Sequence, residues 1–147
     1  MTRALGWLTV LGLVAGLAAG FGYAPREAEQ GNVQRIMYLH VPAVLTAYMA
    51  FVLVLVGSIG YLATRRPGWD RLAAASGEIG VLFTGLTIVS GSIWGKPTWG
   101  TWWTWDARLT STAVLFCVYV GYLLLRSLIE DPDARARYAA VDGRCRR

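Results

Sequence analysis

This sequence is short of the residues that do covalent chemistry. Its 147 residues include one histidine and two cysteines. The cysteines, Cys117 and Cys145, form no C-x-x-C pair, which excludes a local thiol–disulfide centre. Cys117 falls within an apolar stretch and Cys145 in a basic tail, so they do not pair in one chain, and Cys117 reads as a small apolar packing residue. There is no catalytic triad, phosphate-binding loop or dinucleotide fingerprint, so the reading is of a protein that is not an enzyme. Charge is also scarce where apolar residues gather. Four stretches, about 5–23, 41–63, 72–94 and 109–129, contain no Lys or Arg in their interiors, and Glu78 is the one acid among them.

What remains is apolar. Hydrophobic residues make up 55% of the chain and mean hydropathy is +0.43, which points away from an ordinary soluble domain. At 1.5 Å rise per residue each stretch spans a hydrocarbon core of about 30 Å. The expected fold is therefore an all-α integral membrane protein of four transmembrane helices in an antiparallel bundle, one membrane domain over residues 1–130 followed by a basic cytoplasmic tail over 131–147. Gly57, Gly60, Gly77 and Gly80 are suited to close helix approach.

Basic residues set the orientation. With the N-terminus inside, inner segments hold Arg3, Arg65, Arg66, Arg71, Arg126, Arg135, Arg137, Arg144, Arg146 and Arg147, against Arg26, Arg35, Lys96 and Arg108 outside. Topology thus accounts for the net charge of +5 and the pI near 9.6, and nucleic acid is not an expected partner. The first stretch also has the basic start and small-residue end of a signal peptide, although its apolar part is longer than usual; either way residue 24 onward lies outside. The outer loop from Ala24 to His40 includes NVQRIMYLH, an interfacial or re-entrant stretch by its composition, and Pro42 suits the first turn of the second helix.

The densest chemical signal is WGKPTWGTWWTWDARLTS. It places Trp94, Trp99, Trp102, Trp103 and Trp105 in one outward loop over 94–108, with Gly95, Pro97 and Gly100 as turn residues. One or two tryptophans would serve as interfacial anchors; five exceed that need. Large flat apolar faces and indole N–H donors beside Lys96 and Arg108 suit a flat, amphipathic, anionic ligand, and heme has that description. Asp106 reads as a partner of Arg108 or a cap on the fourth helix. His40 lies at the outer end of the second helix, level with the tryptophans, and is the candidate axial ligand to heme iron. Met37, on the same helical face, is badly placed to bind the opposite side of that iron. Glu78 lies about two turns inside the cytoplasmic end of the third helix, where it would be hydrated, protonated, or paired with Arg71 or a neighbouring helix.

These residues resemble the CcmC family, the heme exporter protein C of cytochrome c maturation, over about residues 5 to 140. The tryptophan segment looks like that family's WWD domain, RIMYLHVPA like its first histidine motif, and EIGVLFTGLTIVSGSIWGKPTWGTWWTWDARLTS is similar along the third and fourth helices. The resemblance implies non-covalent, transient binding of heme b at the outer side of the bacterial inner membrane and its presentation to the heme chaperone CcmE. Its implied company is CcmD and the CcmA and CcmB transporter subunits. Carried over residue by residue, the implied axial ligand is His40, and the implied cofactor-binding residues are Trp94, Gly95, Trp99, Trp102, Trp103, Trp105, Asp106 and Arg108. The family has six membrane helices and a second outer histidine. This sequence has four apolar stretches and no second histidine, and VDGRCRR reads as the end of a truncated or frame-shifted product.

Two other readings compete. Four helices and Glu78 suit a proton-coupled small multidrug or metabolite transporter, and an aromatic loop suits the interface of a structural subunit in a membrane redox complex. Neither uses His40 and the tryptophans together.

Overall fold

The structure is a computed structural model that describes residues 2–129. Helix α1 runs Thr2–Leu17 and continues into a π turn, Ala18–Tyr23. Helix α2, Met37–Thr64, is entered through a 3-10 turn, Val33–Ile36; α3 is Pro67–Trp99 and α4 is Ala107–Leu128. All four are long and apolar enough to cross a membrane, so the chain is an all-α, multi-pass membrane protein.

The inner helices outrun their apolar stretches: α2 starts at residue 37 rather than 41, and α3 runs from 67 to 99 rather than 72 to 94. Apolarity marks the hydrocarbon, whereas caps mark the helix. Pro67 opens α3 with a pre-set φ and no N–H to satisfy. Gly100 closes it in the left-handed conformation at φ 77°, its N–H donating to the Lys96 carbonyl at 3.0 Å. NVQRIMYLH is accordingly no separate re-entrant segment; it leads straight into α2, and Pro42 lies in the helix's second turn rather than its first.

Helices α2 and α3 form an antiparallel hairpin turned at Arg65 and Arg66, with Arg65 at φ 56° and its N–H donating to the Tyr61 carbonyl at 2.8 Å. Buried positions on α2 step by four and three: Ala43, Ala47, Ala50, Val54, Gly57 and Tyr61. Facing them on α3 are Ala73, against Gly57, and Gly80, against Phe51, with Ser76 and Thr84 buried on the same helix. This is a heptad seam of small residues, and it lets two backbones approach where lipid supplies no hydrophobic drive. At Gly57 a Cβ would stand 2.9 Å from the Trp69 carbonyl oxygen, so the space belongs to backbone.

Helix α4 docks on this hairpin without burying any residue fully. Phe51 of α2 stacks on Tyr119 of α4 with ring centroids 4.0 Å apart, and Tyr122 packs over Gly77. At the other end Arg126 grips Asp70 through two bonds, Nη1 to Oδ1 at 2.6 Å and Nη2 to Oδ2 at 2.9 Å. The acid lies in the first turn of α3 and the cation in the last turn of α4, where each suits its helix dipole. Helix α1 is peripheral, with none of Thr2–Leu17 buried. Arg35 holds its end by donating to the carbonyls of Phe21 at 2.7 Å and Ala24 at 3.0 Å.

Cys117 departs from expectation, and Glu78 takes none of the ion pairs weighed for it among the described residues. Cys117 is exposed on the outer face of α4 rather than packed, because α4 turns only one stripe toward the hairpin. Glu78 is exposed on the outer stripe of α3, and among the described residues it makes no ion pair; the acid that pairs is Asp70, eight residues earlier on the α4-facing side. The expected basic tail, 131–147, lies outside the described residues.

Candidate functional site

A cavity of about 590 Å³ lies between α2, α3 and α4 and is lined by His40, Trp94, Trp99, Trp103 and Arg108. Its volume is in the range of small-molecule and cofactor sites. Met37, Tyr48 and Phe51 of α2 and Thr84, Thr87 and Thr112 complete most of the wall.

The tryptophan segment is less of a loop than expected. Trp94, Gly95, Pro97 and Trp99 belong to the last turns of α3, and the irregular stretch is 100–106. Gly95 is buried, and a Cβ there would stand 3.3 Å from the Trp99 ring, so the missing side chain lets Trp99 fold back along its own helix. Trp94 meets Trp99 edge-on at 5.0 Å, and the Trp94 indole N–H donates to Gln30 Oε1 at 3.1 Å, which draws the segment before α2 over the helix end. The Lys96 ammonium is directed to the Gly100 carbonyl at 2.9 Å. It closes the helix end and is absent from the cavity wall.

Asp106 is the N-cap of α4. Its Oδ1 accepts from the backbone N–H groups of Arg108 and Leu109, both at 2.9 Å, and its Oδ2 from the Thr104 hydroxyl at 2.7 Å. The Leu109 N–H and the Thr104 hydroxyl, followed by the Arg108 N–H and charge, hold this carboxyl below the usual aspartate range. Capping therefore prevails over a side-chain pair with Arg108. The Arg108 guanidinium instead lies over Trp99, 5.3 Å from the ring centroid, and no described carboxylate pairs with it.

Trp103 turns inward and meets Trp105 edge-on at 5.7 Å; its indole nitrogen is buried and, among the described residues, has no hydrogen-bond partner. Trp102 and Trp105 turn outward, at 57% and 82% exposure, and do not line the cavity. The sequence placed all five tryptophans on one platform; the structure divides them. Five residues of irregular backbone between Gly100 and Asp106 rotate successive side chains to different sides, and no spacing rule gives that rotation.

His40 is half-buried on α2, with Nδ1 2.9 Å from Ser90 Oγ of α3. Its ring edge packs on Gly91, where a Cβ would come within 3.0 Å of Cε1. The sequence put His40 level with the tryptophans but gave no sign of Ser90, Gly91 or Gln30 as neighbours, since nothing in a span's composition says which faces meet.

A family description, heme exporter protein C, matches residues 1–142. The chain belongs to the heme exporter protein C family. It is 42% identical over 142 residues to the heme exporter protein C of Rhodobacter capsulatus, covering 95% of this chain and 59% of that one. The Bradyrhizobium diazoefficiens relative is 42% identical over 142 residues, with 95% and 54% covered, and the Escherichia coli K12 relative 41% over 138 residues, with 92% and 56% covered. The chain thus spans a little over half the length of the curated relatives it matches. Membership in this family gives no support to a proton-coupled transporter or to a structural subunit of a redox complex, and Glu78, outward and without an ion pair among the described residues, adds none.

Proposed function

We propose that this cavity receives heme b, non-covalently and transiently, on the outer side of the bacterial cytoplasmic membrane, and presents it for c-type cytochrome assembly. One observation carries the reading: a single cavity brings together the chain's one histidine, three inward tryptophans and an arginine that pairs with no carboxylate among the described residues. A tetrapyrrole's flat apolar body matches the indole faces of Trp94, Trp99 and Trp103. Its iron matches the imidazole of His40, and its carboxylates match the Arg108 guanidinium and the unpartnered Trp103 N–H. Asp106 and Gly95 act one step back, by capping α4 and by giving Trp99 its place.

Orientation follows the basic residues, with both termini cytoplasmic, residues 1–130 as one membrane domain and the tryptophan segment outside. Trp102 and Trp105 then face the headgroup layer or an arriving protein. Their company would be the CcmE-type heme chaperone, a CcmD-type small protein and the CcmA and CcmB subunits that the family resemblance implies. Heme remains cargo here: the chain's own residues bind and orient it, and no bond-making chemistry is required of them.

The test is titration of the purified chain in detergent or nanodiscs with hemin, read in the Soret region. Arg108→Gln, which removes one charge-assisted hydrogen bond worth about 1.5–3 kcal/mol, should weaken binding by at least about tenfold. Trp102→Ala should leave affinity within about twofold, since that ring is outside the cavity. Equal loss in both variants would contradict the cavity as the site.

A further inference from the structure

We propose that Ser90 is the positioning residue that fixes the tautomer of His40, holding Nδ1 as the protonated nitrogen and leaving the Nε2 lone pair for a metal centre in the cavity. The proposal rests on the heme reading for the identity of that centre; the tautomer itself does not.

Hydrogen counting decides which partner donates. A serine hydroxyl has one proton to donate and two lone pairs. In Ser90 that proton is committed to the helix, because Oγ lies 2.7 Å from the Leu86 carbonyl four residues back and 3.3 Å from the Thr87 carbonyl. Carbonyl oxygens only accept. The remaining contact, 2.9 Å to His40 Nδ1, must then run from the ring to the hydroxyl, so Nδ1 carries the hydrogen.

Gly91 completes the seat. The Nδ1 and Cε1 atoms are the ring atoms against it, at 3.6 and 3.0 Å from where a Cβ would be, so this edge of the imidazole is pressed on α3. Among the described residues Nε2 is the ring nitrogen left without a hydrogen bond, on a residue that lines the cavity. Neutral imidazole that donates through one nitrogen and ligates through the other is the arrangement that orients metal-binding histidines and raises their basicity. Here a hydroxyl on the neighbouring helix fills the place more often held by a carboxylate or carbonyl. The choice keeps the outer end of the α2–α3 seam uncharged.

His40 is the one histidine in the chain, so ring nitrogen-15 labelling of untagged protein gives a single pair of imidazole signals. In the heme-free chain, the proposal expects the protonated-nitrogen signal at Nδ1 and the lone-pair signal at Nε2. In Ser90→Ala the Nε2–H form becomes visibly populated, while Ser90→Thr, which keeps the hydroxyl, matches wild type. A wild-type ring protonated at Nε2, or a Ser90→Ala spectrum identical to wild type, overturns the assignment. A second measurement adds heme: Ser90→Ala should weaken binding about tenfold and shift the iron–histidine stretching band, with Ser90→Thr restoring both. If the tautomer is as stated and no heme binds, the Ser90 assignment stands and the heme reading fails. If heme binds through His40 with the band unchanged by Ser90→Ala, Ser90 is merely a packing residue.

Discussion

The ion pair between Asp70 and Arg126 should behave as a clasp whose halves cannot be removed singly. Its side chains are 16% and 10% exposed, and Arg126 places two nitrogens on the two carboxylate oxygens. For a fully buried pair, loss of one partner costs about 3–5 kcal/mol, because the other charge is stranded in a poorly solvated place. This pair lies at a helix end where water has some access, so about 2–3 kcal/mol is the reasonable figure for Asp70→Leu or Arg126→Met. That corresponds to about a 30- to 140-fold change in the folding equilibrium. Arg126 retains a ring neighbour in Tyr122, 5.7 Å from its guanidinium carbon, which softens Asp70→Leu slightly. The double variant replaces both charges by apolar groups and should return to within about 1 kcal/mol of wild type. Reversible unfolding by added denaturing detergent, followed by tryptophan fluorescence and far-UV circular dichroism, measures all four proteins. A double variant at least as unstable as the two single losses added together would refute coupling between these charges.

Three further outcomes follow from the same geometry. Gly57→Val places side-chain atoms against the Trp69 carbonyl oxygen and should separate α2 from α3, at a cost of about 1–3 kcal/mol in the same unfolding assay. Asp106 has a folded pKa below the ordinary aspartate value of 3.8, so its capping contribution is fully present above that value, declines as pH falls below it and is gone once pH passes the lower folded pKa. Hydrogen exchange at the Arg108 and Leu109 amides should therefore be flat from neutral pH to well above 3.8 after correction for intrinsic rates, and faster throughout in Asp106→Ala. Trp102→Ala combined with Trp105→Ala should leave heme affinity of the isolated chain intact and reduce its recovery with a CcmE-type partner, measured by co-purification.

The sequence made the membrane helices and their order legible because hydrocarbon imposes a length and an absence of charge that no other environment asks of a chain. It misjudged where α2 begins and where α3 begins and ends. Residues such as Lys96 and Thr98 are polar enough to leave the hydrocarbon and still good enough to continue a helix, and only Gly100 stops it. His40 and the tryptophans were legible as a group for the same topological reason: one membrane face collects them. Their division was not. Trp103 inward and Trp105 outward is a matter of backbone rotation between a left-handed Gly100 and the Asp106 cap. Ser90 reads in the sequence as one more small polar residue in a span, and it becomes informative only when α2 sets an imidazole against it. Arg126 was visible as a flanking charge, but Asp70 went unremarked beside Glu78, because which acid would be paired depended on the face α3 turns to α4, and Glu78 sits on the other.

The account stands or falls on whether His40 ligates the iron of a heme in this cavity. The most direct measurement is the ferric visible and resonance Raman spectrum of the His40→Gly variant with hemin, before and after free imidazole is added. The account predicts that the variant loses the iron–histidine signature and that imidazole, diffusing into the space the side chain left, restores it. A His40→Gly spectrum identical to wild type without imidazole would contradict it.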